Sequence, residues 1–318
     1  MSVYNGESYV RAAIESIQKQ SFQDFEFLIV NDGSTDNSLS IIAEFARDDC
    51  RVKVLDKPNS GLTKSLNYGA AHATGDWIAR IDADDIAHKD RFALQLETVG
   101  NNPAIKLLGT GHQLIDEKGE LGACYSLPSD HDRLLKRLML KQGFFSHSSA
   151  LFAREIFEKL AGYRAFFKRA QDYDLWLRFV EHGEIACVPE ALLYIRKHAE
   201  QISHSAKGSL QLVDSRIALY SHYHREAGLP DPVEELNTEA EFEVFRRSFT
   251  EELAGRRLFD ILEFKSEIKD SLADRDPMLF SRLLGRVLLK DRDLFLRAAS
   301  FFLRGETIVS TIFQDKVK

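Results

Sequence analysis

The stretch "WIARIDADDIAHKDR", Trp77 to Arg91, sets three carboxylates at the end of an apolar run. Trp77, Ile78, Ala79 and Ile81 read as a buried strand whose only charge is Arg80, and Asp82, Asp84 and Asp85 follow at once. Clustered acid is unfavourable, because like charges repel and their desolvation is costly. Its place at a strand end therefore implies a positive partner. Asp82 and Asp84 are two apart, so extended backbone points both side chains the same way. Two hard oxygen donors so placed suit Mg²⁺ or Mn²⁺, which keep some waters and take further ligands from a phosphate. For the D-x-D pattern alone, a solvated loop is the competing reading.

Upstream of this strand the pattern alternates. Val10, Ile14 and Ile17 in 8–20 have helical spacing, and "FEFLIVN", 25–31, is a β-rich apolar run. A helix through Leu39, Ile42 and Phe45, a strand near Val52–Leu55 and a glycine-started helix over 60–74 come next. Strands separated by helices predict an α/β fold with a doubly wound, mostly parallel sheet, whose ligands bind where the strands' carboxyl ends meet the loops. "NDGSTD", 31–36, and "DADD", 82–85, both fall on that edge. The opening "MSVYNGE" reads as a loop, so the first strand of such a sheet is expected to be truncated. Strands are predicted at 105–110, 147–153 and 191–198, with a helix over 172–183. From about Lys207 the pattern is helical only, interrupted at 228–235. The expected organisation is a catalytic domain over 1–204 and an all-helical region over 205–318.

Composition sets the outer limits. The 318 residues are 44% hydrophobic and 29% charged, with a net charge of -7. That acidity argues against a nucleic-acid partner, which would need a basic surface. Cys50, Cys124 and Cys187 lie far apart, form no metal-ligand spacing and suit a reducing compartment. No run of about 18 apolar residues is present and no signal peptide opens the chain, so a cytoplasmic address is expected.

Two further segments offer chemistry. Asp32 in "NDGSTDNS", 31–38, has a carboxylate suited to a base N–H, while Ser34 or Asp36 caps the next helix. In "RAQDYDLWLR", 169–178, Asp172 precedes Leu175, Trp176, Phe179 and Val180, which have the spacing of a buried helix face. Asp172 reads either as an N-cap or as a general base at a helix start.

Taken in order, these segments resemble inverting glycosyltransferases of family 2, with the GT-A fold. "SVYNGE" is similar to that family's opening motif, "VNDGSTDNS" to its nucleotide loop, "DADD" to its metal motif and "QDYDLWLR" to its catalytic helix. The resemblance covers about residues 1–204. It implies that Tyr4 and Asp32 hold the nucleotide base, usually uracil, and that Asp82 reaches the ribose and metal-bound waters. It further implies that Asp84 ligates Mn²⁺ or Mg²⁺, that Asp172 deprotonates the acceptor, and that Asp174 and Trp176 shape the acceptor pocket. "NSGLTKSLNYG", 59–69, resembles the family's helix beside the nucleotide, where Lys64 is read as a phosphate contact or a solvated lysine. "YIRKH", 194–198, resembles a segment whose histidine, here His198, approaches the metal or diphosphate, although an extra residue separates Tyr194 from Arg196. His147 matches a recurrent position to which no role is given. Gln171 stands where many members carry glutamate.

The implied activity is metal-dependent transfer of a hexose from a UDP-sugar to a saccharide or lipid-linked hydroxyl acceptor with inversion, as in bacterial surface-polysaccharide assembly. The rival readings are a non-catalytic nucleotide-sugar-binding module and a sugar-phosphate nucleotidyltransferase. Residues 277–304 carry six Lys/Arg against two Asp, with Arg282, Arg286 and Lys290 on one helix face. That segment fits either an anionic membrane surface, at the inner face of the cytoplasmic membrane, or packing on the catalytic domain or a second copy in a homodimer.

Overall fold

A computed structural model describes residues 1–198, 208–236 and 238–256. Strand β1 (Ser2–Val3), helix α1 (Val10–Gln18), β2 (Phe27–Asp32), α2 (Ser38–Asp48), β3 (Val52–Lys57) and α3 (Leu62–Ala70) open the chain. The strands form a parallel sheet in the order β1-β2-β3. Ser2 and Val3 thus occupy the first-strand slot, pairing with Val30 and Asn31 of β2, where a loop was expected. Parallel pairing needs each connection to cross the sheet, and the apolar stripe of each helix supplies the cover. Val10, Ile14 and Ile17 of α1 are buried with Ile29, Ile42, Val52 and Phe92 in one core cluster.

The second sheet is mixed. Its strands are β4 (Trp77–Ala79), β5 (Ile86–Ala87), β6 (Ile105–Ile115), β7 (Leu121–Tyr125), β8 (Leu151–Ala153) and β9 (Glu184–Arg196). They run in the order β4-β8-β6-β9-β5, with β7 on β6. Only β6 and β9 pair in parallel; the remaining pairs are antiparallel. Helices α4 (Arg91–Asn101), α5 (His131–Leu140), α6 (Arg154–Lys159) and α7 (Gln171–Phe179) connect them. Val99, Ile105, Leu108, Leu151 and Val188 fill a second core cluster. The segment 147–153 divides into a short 3-10 turn, His147–Ser149, and then β8.

Two compact units are present, Met1–Leu219 and the residues from Tyr220 onward. Helix α8 (Gly208–Glu226) crosses that point and α9 (Glu239–Arg256) belongs to the second unit, where Phe249 packs 5.4 Å from Tyr220. The helical pattern expected after Lys207 is met by both elements. Among the described residues no helix is long and apolar enough to cross a membrane. The basic segment 277–304 lies outside the described residues.

The long β6–β9 pairing forms the middle of the mixed sheet, and one position in it admits no side chain. A Cβ on Gly111 would stand 2.4 Å from the Pro189 carbonyl oxygen and 2.8 Å from that of Glu190. Backbone cannot yield as a side-chain tip does, so Gly111→Ala is expected to destabilise the chain by about 1–3 kcal/mol. Chemical denaturation of both proteins checks this; an unchanged midpoint would contradict the close approach.

Candidate active site

The carboxyl ends of β2 and β4 carry the acidic residues singled out in the sequence. At β4 the chain leaves the sheet after Ala79, and the buried Arg80 turns its guanidinium onto Asp82, meeting both carboxylate oxygens. Asp82 is also fixed through its backbone, whose N–H donates to Ser148 Oγ at 2.9 Å. Asp84 lies 2.9 Å from Nε2 of His198. Asp85 is buried and accepts the Arg196 N–H at 3.1 Å. Carboxylate oxygens of Asp82, Asp84 and Asp85 all lie within 4.8 Å of one another. Burial, followed by the charges of Asp82 and Asp84, pushes the Asp85 carboxyl up to about 8.

This donor set fits a divalent cation. Hard carboxylate oxygens with one imidazole suit Mn²⁺ or Mg²⁺, and the negative charge exceeds what Arg80 balances. With both Asp82 oxygens engaged by Arg80, Asp84 and His198 are the freer ligands. Nδ1 of His198 is buried with no hydrogen-bond partner, and the ring rests 4.8 Å from that of Tyr9.

At the end of β2, Asp32 is held from three directions. Lys57 bonds Oδ1, the Ser60 N–H reaches the same oxygen at 2.8 Å, and the Gly61 N–H reaches Oδ2 at 2.9 Å. Burial alone would raise its pKa; Lys57 and the backbone donors outweigh that and hold it below the usual value. Tyr4, in the loop after β1, is 56% exposed. Lys64 is exposed on α3.

The start of α7 completes the site. Ala170 enters the helix at φ 57°, a left-handed conformation, so Asp172 falls in the first turn and not at the N-cap. Its Oδ1 accepts the Tyr173 N–H at 2.8 Å. Burial raises the Asp172 carboxyl above its ordinary value, while Arg80 opposes that rise and Asp82 adds to it. Asp172 and the β4 edge therefore share one electrostatic environment.

Asp174 and Trp176 face inward. Asp174 is 1% exposed and paired with Arg178 at 2.9 Å and Arg164 at 3.4 Å. Trp176 is 2% exposed, among Phe145, His147, Phe152 and Phe179. The structure thus brings Asp82, Asp84, Asp85 and His198 together, sets Asp172 within electrostatic reach of Arg80 and Asp82, and keeps Asp174 and Trp176 in the interior. Sequence reasoning missed Lys57, Ser148 and Arg196 as partners of the acidic groups. It noted Arg80 only as a charge, although a lone arginine inside an apolar strand is itself a signal.

Comparison with known proteins bears on the family and the fold. Residues 1–161 match the family model described as Glycosyl transferase family 2. The chain is 33% identical over 230 residues to EpsE of Bacillus subtilis, named as a glycosyltransferase, covering 71% of this chain and 81% of that protein. It is 32% identical over 210 residues to the O-antigen biosynthesis glycosyltransferase WbnJ of Escherichia coli, covering 65% and 81%. Other relatives are longer, and the chain spans 65% or less of some of them. The crystal structure of S. aureus TarS 1–349 in complex with UDP-GlcNAc superposes with a TM-score of 0.59 at 16% identity, covering 96% of this chain and 91% of that one. At that identity the likeness is one of fold.

An Asp85 carboxyl that titrates near 8 is protonated at neutral pH, and a cation arriving beside it favours the ionised form. Mn²⁺ binding near neutral pH should then release about one proton, and none at pH about 9.5. Calorimetry in two buffers of different ionisation enthalpy measures this. Identical heats in both buffers near neutrality would show that Asp85 is already ionised.

Proposed function

Because the chain belongs to glycosyl transferase family 2, we propose that it transfers a sugar from a UDP-sugar to a hydroxyl of a saccharide acceptor, with inversion at the anomeric carbon. One observation carries this reading: the Asp172 carboxyl, made more basic by burial, feels the charges of Arg80 and Asp82 at the acidic edge. Asp172 would then serve as the proton acceptor within electrostatic reach of the edge that would bind the diphosphate. The UDP-GlcNAc bound by TarS and the O-antigen role in the name of WbnJ favour a UDP-sugar and a surface-saccharide acceptor, free or lipid-linked.

In the proposed reaction Asp172 takes the acceptor's hydroxyl proton as that oxygen bonds to the anomeric carbon. The bond from that carbon to the diphosphate oxygen breaks on the opposite face, which inverts the centre. Base and leaving group on opposite faces need no covalent enzyme intermediate. Asp32, fixed by Lys57 and Gly61, would accept the uracil ring N–H, with the exposed Tyr4 beside the base. Asp82 would reach the ribose, and the exposed Lys64 is available to a phosphate. Asp84 and His198 would hold Mn²⁺ or Mg²⁺, which when bound neutralises the charge that builds on the leaving diphosphate. Asp174 and Trp176 would brace the acceptor side from behind, through Arg178 and the aromatic cluster.

Asp172→Asn should lower kcat by about 10²–10⁴ while sparing UDP affinity, since general-base help is of that size. In the native protein, kcat/KM should rise with pH along a limb above the ordinary carboxylate range, because the base must be ionised and burial raises its pKa. Asp84→Asn should remove the metal-dependent part of UDP binding in calorimetry. Near-native turnover by Asp172→Asn would remove that residue as the base, whereas metal-dependent binding that survives in Asp84→Asn would remove the metal assignment.

A further inference from the structure

His147 has no part in the reaction just described, yet it lies where three of the site's elements meet. Its neighbour Ser148 holds the acidic edge through the Asp82 backbone: Ser148 Oγ accepts the Asp82 N–H at 2.9 Å. One residue back, His147 Nε2 lies 2.7 Å from the Tyr163 hydroxyl. The Tyr163 backbone is clamped to α3, donating its N–H to Asn67 Oδ1 at 2.9 Å and accepting from Asn67 Nδ2 at 2.7 Å. The carbonyl of Gly162 accepts Arg178 Nη2 at 2.8 Å, and the same guanidinium holds Asp174 on α7. A continuous series therefore runs from Asp82 through Ser148, His147, Tyr163 and Arg178 to the helix that carries Asp172. Within that series, the imidazole–phenol bond is where the two turns join.

The chemistry of the pair suits a fixed link. Burial, reinforced by the Arg80 charge, keeps His147 neutral, so its ring offers one donor and one acceptor. Tyr163 is buried, and burial also disfavours its phenolate. Each is the polar partner the other needs, because a buried hydroxyl or imidazole left unpaired gives up its bond to water and gains none in return. Trp176 meets the His147 ring edge-on at 5.8 Å and limits its rotation.

We propose that the His147–Tyr163 hydrogen bond sets the register between the acidic edge and the Asp172 helix, which makes both residues positioning residues for the transfer. The proposal rests on the transferase reading above. It predicts that loss of the bond misplaces the base relative to the donor while leaving each of the two sites formed.

Tyr163→Phe removes only the hydroxyl. Its UDP affinity with Mn²⁺ should stay within about twofold, while kcat falls by about tenfold, the worth of one such bond. His147→Gln, which can still bond the phenol, should keep more of kcat than His147→Leu. Hydrogen exchange supplies a readout that does not need turnover. The Tyr173 amide, which bonds the Asp172 carboxylate, should exchange faster in Tyr163→Phe, with β2 amides unchanged. An unchanged Tyr173 rate would overturn the proposal. So would exchange that quickens throughout the chain while UDP affinity and kcat fall together, since that marks general loss of stability. A native chain that turns over no nucleotide-sugar would instead defeat the transferase reading, and the exchange result would still decide the register link.

Discussion

The site is organised around one buried cation. Arg80 is 5% exposed, lies just past β4 and holds Asp82 through both oxygens. A buried charge is tolerated only when paired, and removing one partner of such a pair typically costs about 3–5 kcal/mol. That condition fixes where Asp82 must lie, and the Asp82 amide in turn fixes the turn that carries Ser148. The Arg80 carbonyl is itself held by the buried Arg91 at 2.8 Å, so the cation sits on a rigid support. One guanidinium cannot balance the carboxylates of both Asp82 and Asp84. The residual charge makes the edge a place for a further positive group.

The nucleotide side depends on interlocked loops. The Asn5 N–H donates to Ser34, and Asn5 Oδ1 accepts the Thr35 N–H at 2.8 Å. Glu7 exchanges bonds with Asp36 and Asn37. Asn5 and Gly33 both take positive φ, which glycine and asparagine tolerate best, so the loops after β1 and β2 brace one another at their bends. Such mutual support orders the loops before any ligand arrives and reduces what binding must fix.

Much of this was legible in the chain because it is local. The 3.6-residue and two-residue apolar periods marked α1, β2, α3 and the strand before "DADD", and the D-x-D spacing marked the acidic edge. The mixed second sheet was not legible, since the direction in which β8 or β9 pairs is decided by partners distant in sequence. The same limit hid Lys57 from Asp32 and Ser148 from Asp82. Resemblance gave Asp174 and Trp176 a place in the acceptor pocket; the apolar spacing had already put Trp176 on the buried face of α7, and both side chains are buried. Asp172 read equally as a cap or a base. The helix begins after Ala170, so Asp172 lies in the first turn and not at the N-cap, and its Oδ1 accepts the Tyr173 N–H there.

Two carboxyls in this site are raised by desolvation, and their surroundings then set them apart. Asp85 faces Asp82 and Asp84, so like charge adds to burial and keeps it protonated to about 8. Asp172 is raised by burial too, but Arg80 and the Tyr173 N–H both favour its ionised form. The carboxyl beside the acid edge therefore waits for a cation before it ionises, whereas the one on α7 is drawn toward the charged form by a cation already present. In the proposed base role, Asp172 would draw on that second environment, in which the Tyr173 N–H and the Arg80 charge oppose part of the rise that burial causes.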